Sequence, residues 1–301
     1  MNRRRLLQLA SAAALVPSVA SAMQEVAPGI HVRHGVDEEA TVANQDGIAN
    51  IGFIVGERSV AVIDPGGSLA DGLALRAQIR ATTPLPISHL VITHLHPDHA
   101  FGAVAFEDDH PRIVAHARML PMLVSRGEFY RNRLADVLGL EEAGDYAKPD
   151  LLVHDTLTID LGARPLELRA YKTAHTDNDL TAFDVNTGTL WTGDLLFVGR
   201  VPALDGSLAG WLAALRTLRT VKASRAVPGH GPVAVDWPAA LDAEERYLTL
   251  IATQVRAIIA RGGSIEQAVA TVGLAERGQW ALFDDYNGRN VTAAFKELEW
   301  E

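Results

Sequence analysis

The chain contains no cysteine in 301 residues. A disulfide framework, a thiolate nucleophile and a cysteine-ligated metal are therefore all excluded. Basic residues are outnumbered, with 27 Lys plus Arg against 37 Asp plus Glu and a formal charge of −10. A balance of that sign repels phosphate backbones, so no nucleic-acid partner is expected. Aromatic residues are sparse at 6%, and no low-complexity linker interrupts the chain. Beyond residue 22 no apolar run is long enough to span a bilayer core of about 30 Å. What is abundant is ordinary apolar content, 48%, beside 21% charged residues. That profile fits a folded globular domain with a sizeable core.

The first 22 residues differ from the rest. Arg3, Arg4 and Arg5 precede the short apolar run Leu6 to Val16, and Ala20-Ser21-Ala22 supplies small residues at a cleavage site. These are the parts of an export signal, with a twin-arginine-like start, and they predict a periplasmic product exported by a twin-arginine or general secretory route. Removing 1–22 takes away three arginines and no acid. The mature chain, 23–301, then carries 24 basic against 37 acidic residues, or −13.

Along that mature chain, 30–33, 50–55, 60–63 and 89–93 read as short strands, and 69–81 as a helix closed by Pro84 and Pro86. Residues 119–140 read as a helix, 151–173 and 181–192 as β-hairpins, and 208–221, 238–261 and 265–272 as helices, with 226–227 a short strand. Strands then helices, twice over, predict two packed sheets with helices outside and one mature domain.

Thr93-His94-Leu95-His96-Pro97-Asp98-His99 is the most informative stretch. His94 and His96, two apart at a strand end, point to one side and suit a shared metal. Pro97 stops the strand, and Asp98 is expected to cap a helix beginning near His99. Four ligand-type residues in six, divided by a turn, suggest two metal positions. His175, Asp194 and His230 each follow a predicted strand, where a rigid sheet holds the loops that carry chemistry.

With these residues the chain resembles the metallo-β-lactamase-fold hydrolases, from the Val62-Ile63-Asp64-x-Gly66 turn through Pro228-Gly229-His230-Gly231. The resemblance implies an α+β, four-layer αββα sandwich. It implies one zinc on His94, His96 and His175, a second on Asp98, His99 and His230, and Asp194 bridging them. Asp64 would lie just outside, orienting histidines; iron or manganese suit the same ligands. The implied chemistry is attack on an ester, thioester or lactone carbonyl by a hydroxide held between the metals, with Asp98 as the catalytic proton carrier. His96, where diiron relatives place Glu, disfavours redox chemistry, and the aspartate bridge is similar to that of glyoxalase II-like hydroxyacylglutathione hydrolases and lactonases. The glyoxalase His-Thr-x-Gly is replaced by His175-Thr176-Asp177-Asn178. The stretches 49–56, 174–180 and 191–197 are similar to the periplasmic zinc metallohydrolases called quinoprotein relay system proteins. That implies a functional link to a pyrroloquinoline-quinone-dependent dehydrogenase, besides a small-molecule substrate. Two rival readings are a β-lactam hydrolase and a non-catalytic quinone carrier of the same fold.

Other residues carry weaker signals. His89 reads as a core histidine and His116 as a distant neighbour of the cleft. His31, His34, His110 and His154 lack partners at ligand spacing. Asn178 and Asp179 are equally divided between lining the site and capping a turn. Tyr171, Trp280, Tyr286, Phe101, Phe129 and Tyr130 read as core or cleft wall, and Glu141-Glu142 and Glu244-Glu245 as solvated helix faces.

Overall fold

The computed structural model describes residues 22–301. The export-signal expectation therefore lies, except for Ala22, outside the described residues. Seven strands form the first sheet in chain order: β1 (Gln24–Ala27), β2 (Ile30–Arg33), β3 (Ile51–Val55), β4 (Val60–Ile63), β5 (Ile87–Ile92), β6 (Arg112–His116) and β7 (Leu151–Val153). Pairing is antiparallel up to β4 and parallel from β4 to β7. The second sheet has the order β12-β11-β10-β9-β8. Its strands are β8 (Thr156–Asp160), β9 (Pro165–Ala170), β10 (Leu180–Asp184), β11 (Thr189–Phe197) and β12 (Arg225–His230), antiparallel except for β11 with β12.

Strand alternation explains the layers. In β4, Ala61 and Ile63 face the second sheet, while Val60 and Val62 face helices on the opposite side. β5 repeats the pattern, with Val91 inward between the sheets and Leu90 and Ile92 toward the helices. The outer face of the first sheet is covered by α1 (Leu69–Thr82) and α3 (Met119–Leu138) through Leu75, Ile79, Leu123 and Leu134. In β11, Trp191 packs between the sheets, and Leu190 faces α4 (Leu208–Leu218), α5 (Leu241–Ala260) and α7 (Phe283–Leu298). α2 (Pro97–Ala100) and α6 (Ile265–Thr271) complete the helices. The result is the expected four-layer αββα sandwich, with strands covered on both faces and correspondingly apolar. No helix among the described residues is long and apolar enough to cross a membrane.

Several local expectations need correction. α2 begins at Pro97, so Asp98 sits in the first turn and makes no cap hydrogen bond; His96 occupies the cap position. The preset φ of proline starts this helix as readily as it stops the strand. β11 runs on to Phe197 past a kink at Gly193 (φ +50°), which places Asp194 inside a buried strand. His230 ends β12 directly. The 119–140 helix stops at Leu138, where Gly139 takes φ +94°. Glu244 is fully buried, accepting a hydrogen bond from Phe197 N at 3.0 Å, so it is no part of a solvated face. His89 is only half-buried, bonded to Ser88 Oγ at 2.8 Å.

Candidate metal centre

The chemistry-bearing residues come from strand ends of both sheets and meet where the sheets open. His94 and His96 follow β5, Asp98 and His99 lie on α2, and His175 precedes β10. Asp194 and His230 lie on the neighbouring parallel strands β11 and β12. Two groups of donor atoms result: His94, His96, His175 and Asp194 in one, and Asp98, His99 and His230 in the other. In the first group His96 Nδ1 lies 3.1 Å from His94 Nε2 and 3.0 Å from His175 Nε2. In the second, His230 Nε2 lies 3.3 Å from Asp98 Oδ2. Asp194 touches both, with Oδ1 3.0 Å from His99 Nε2 and Oδ2 3.4 Å from His175 Nε2. Every expected site residue is thus brought together.

The outer nitrogens of the five histidines are held in place. His99 Nδ1 donates to Asp64 Oδ2 at 2.8 Å, His175 Nδ1 to Ala203 O at 2.6 Å, and His230 Nδ1 to Ile48 O at 3.0 Å. His94 Nδ1 meets Thr93 Oγ1 at 3.1 Å, and that hydroxyl itself donates to Asp64. His96 Nε2 meets Asp205 Oδ2 at 3.3 Å. Protons placed on the outer nitrogens leave the inner ones as lone pairs aimed at common points, the tautomer a metal requires.

Electrostatics favour positive charge at the same place. Burial opposes ionisation of Asp98 and Asp194, yet the neighbouring His99 and His230 outweigh it and hold both carboxyls well below the usual range. Conversely His99 and His230 are raised despite burial, chiefly by Asp194. Burial lowers His94 and brings His175 down to about 4, so these rings are neutral donors at ordinary pH. His99 Nε2 and Asp194 Oδ1 are buried facing each other at 3.0 Å outside hydrogen-bond geometry, and neither has another hydrogen-bond partner among the described residues. Nitrogen and carboxylate donors, inward lone pairs and orphaned atoms all fit bound divalent metal.

Asn178 and Asp179, undecided from sequence, serve the site from behind. Asn178 Oδ1 accepts Leu95 N at 3.0 Å and so joins the two histidine loops. Asp179 accepts Thr176 N at 2.9 Å and Thr176 Oγ1 at 2.6 Å, fixing the turn after His175. Burial pushes the Asp179 carboxyl up to about 7 against those donors. A carboxyl raised on folding contributes stability at low pH that is lost as pH rises through its folded pKa. In the metal-free protein, the stability advantage over Asp179→Asn is expected to shrink between about pH 4 and about pH 7. Urea unfolding of both proteins across that range checks this; an advantage growing with pH contradicts it.

The groups open onto a cleft of about 820 Å³. One wall is α3, with Phe129, Leu134 and Val137; the other is α7, with Tyr286 and Arg289. Several lining residues escaped sequence reasoning. Arg200 lies buried beside His230, Asp46 is buried in the cleft wall, and Asp205 stands exposed at the rim, none with a motif to mark it. Glu244, which stands behind the cleft and accepts from Phe197 N, did leave a legible sign, since Leu241, Glu244, Leu248 and Ile251 share one helical face. Of the aromatics, Tyr171 and Trp280 are core, and His116 is tied to Tyr171 O at 3.0 Å away from the donor groups.

Comparison with known proteins agrees with this geometry. The family model described as the metallo-beta-lactamase superfamily matches residues 44–230. An atrochrysone carboxyl ACP thioesterase of Aspergillus fumigatus is 26% identical over 194 residues, 64% of this chain and 40% of that protein. The chain thus spans well under two thirds of that relative. A metallo-beta-lactamase from Pontibacter korlensis has a similar fold, with TM-score 0.60 and 19% identity over 76% of this chain and 98% of its own. The sec-alkylsulfatase Pisa1 from Pseudomonas sp. gives TM-score 0.69 and 16% identity, covering 92% of this chain and 50% of its own. A matched family model over most of the chain, on a sandwich whose strand ends gather five histidines and two aspartates, places this protein in the metallo-beta-lactamase superfamily.

Proposed function

We propose that the mature chain is a two-metal hydrolase of a small ester, thioester or lactone, with zinc as the resident metal. The observation that carries this is Asp194, whose carboxylate reaches both donor groups: Oδ1 lies beside His99, and Oδ2 stands 3.4 Å from His175 and 3.4 Å from His230. His94, His96 and His175 would hold one ion, Asp98, His99 and His230 the other, with Asp194 shared. Bound divalent ions would acidify water and polarise a carbonyl oxygen, lowering the water pKa from about 15.7 toward about 7. The chain supplies the remainder. Asp98 is the acid of the second group that borders the cleft, and its ionised carboxylate is placed to take a proton from attacking water and pass it to the leaving group. Phe129, Leu134 and Val137 offer an apolar wall to an acyl group.

Arg133 and Arg289 line the same cleft and have no carboxylate partner among the described residues. Each lies against an aromatic ring, Arg133 over Phe129 at 5.8 Å and Arg289 over Tyr286 at 5.1 Å. Unpaired cations on a chain of −10 favour an acyl substrate that also bears a negative charge. A thioesterase relative and the aspartate bridge support thioester over β-lactam cleavage. We further propose that residues 1–22 direct export to the periplasm and that the activity serves a quinoprotein dehydrogenase system.

The test is a hydrolysis screen of the zinc-loaded mature protein over acyl thioesters, lactones, aryl esters, sulfate esters and β-lactams, with Asp98→Ala as control. Turnover of an acyl thioester, ester or lactone that falls at least about a hundredfold in the control is expected. Exclusive β-lactam or sulfate-ester turnover, or none at all, overturns the assignment.

A further inference from the structure

We infer that Asp205 is a positioning residue that fixes His96 and, with Ala203, makes the 202–205 segment a clip for the first metal group; this rests on the two-metal reading above. His96 is the least buried of the five histidines, with 17% of its side chain exposed. Its inner Nδ1 faces His94 and His175, so its ring orientation is set by whatever holds the outer Nε2. That partner is Asp205 Oδ2, 3.3 Å away.

Asp205 is itself anchored from three sides. Arg126 Nη1 donates to both carboxylate oxygens at 3.0 and 2.9 Å, and Tyr130 Oη donates to Oδ2 at 3.0 Å. Both residues belong to α3, and the Tyr130 ring stands edge-on to His96 with centroids 5.6 Å apart. From the backbone, Asp205 N donates to His175 O at 3.1 Å. From α7, Asn290 accepts Leu204 N at 2.9 Å and donates to Pro202 O at 2.6 Å. One short segment thereby sets His175 through Ala203 O and His96 through Asp205. A side chain at Gly206 would collide with Ala174 O, so the two loops stay in register only with glycine there.

The consequence is selective. The second donor group has its own supports, Asp64 for His99 and Ile48 O for His230. Loss of Asp205 should therefore loosen one metal and spare the other. An outer carboxylate that orients a ligating histidine typically contributes about 10- to 100-fold to metal affinity.

The experiment uses the mature protein, stripped of metal and titrated with Zn²⁺ against a competing chelator. Wild type is compared with Asp205→Asn, which keeps the shape of the side chain. Repeating both in a His230→Gln background isolates the first group, and in a His175→Gln background the second. Asp205→Asn is expected to weaken the first group by about 10- to 100-fold and leave the second within about twofold. Melting of the metal-free proteins is measured alongside. Unchanged affinity in the His230→Gln background overturns the inference, as does a parallel loss at both groups that tracks a lower melting temperature of the metal-free variant. Wild type binding under one equivalent overturns the two-metal reading itself, before any variant is compared.

Discussion

Asp194→Asn is expected to purify with at most about one equivalent of divalent metal and to lose activity by roughly a thousandfold or more. The substitution preserves size, so the argument is purely about charge and donor atoms. Asp194 Oδ1 lies beside His99 and Oδ2 beside His175 and His230. An amide retains one neutral oxygen and turns the other position into an N–H donor, which has no lone pair to offer a metal. It also removes the largest influence raising His99 and His230. Both then revert toward neutral rings, with Asp98 left facing both and Asp64 facing His99. Without a metal nearby, water returns to a pKa of about 15.7 and ceases to be a nucleophile at neutral pH. Metal analysis of the dialysed protein and kcat/KM on the best substrate of the screen measure the two effects. A variant retaining two equivalents would remove Asp194 from the bridge.

The second large effect needs no change in any donor. A methyl group in Gly229→Ala would collide with Asp194 Oδ1 and would stand only 2.8 Å from Gly193 C and 2.9 Å from Asp194 N. Two of these three contacts are backbone, in the parallel pair β11–β12, so the strain cannot be relieved by rotating a side chain. Overpacking of this kind costs about 1–3 kcal/mol of stability. Displacing the shared carboxylate by a fraction of an ångström to 1 Å should lower kcat/KM by about a hundredfold. Gly278→Ala, where nothing lies within 4 Å, is the control and should behave as wild type. Equal kinetics for the two variants would show that the approach of β12 to Asp194 is not a constraint.

What could be read from the chain follows the range of the forces involved. His94, His96, Asp98 and His99 fall within six residues, so strand geometry and a proline sufficed to group them. Two packed sheets with helices outside were accessible too, because strands and then helices occur twice along the chain. The four-layer sandwich itself was implied by the family resemblance, since β4 is apolar at every position and shows no alternation. In sequence β11 reads only as far as Thr192, because the kink at Gly193 looks like a turn although the strand runs on to Phe197. α7 was missed because Asn287 and Asn290 interrupt its apolar face. Their polarity is satisfied by long-range partners, Val272 O and Pro202 O. Asp205 was hidden for a related reason. Followed by Gly206 and Ser207, it looks like a turn before a helix, and its partners lie 75 to 109 residues away.

The supports behind the histidines differ in one respect that bears on how such a site changes over generations. His175 and His230 rest on the main-chain carbonyls of Ala203 and Ile48. A carbonyl is supplied by every residue type, so positions 48 and 203 are free to drift without loosening those rings. His99 and His96 rest on the carboxylates of Asp64 and Asp205, which a single codon change deletes. With His94 resting on the Thr93 hydroxyl, two of the five supports are insulated from mutation and three are adjustable. The adjustable ones include the support of His96, the most exposed of the five, where selection could retune metal affinity without touching a ligand.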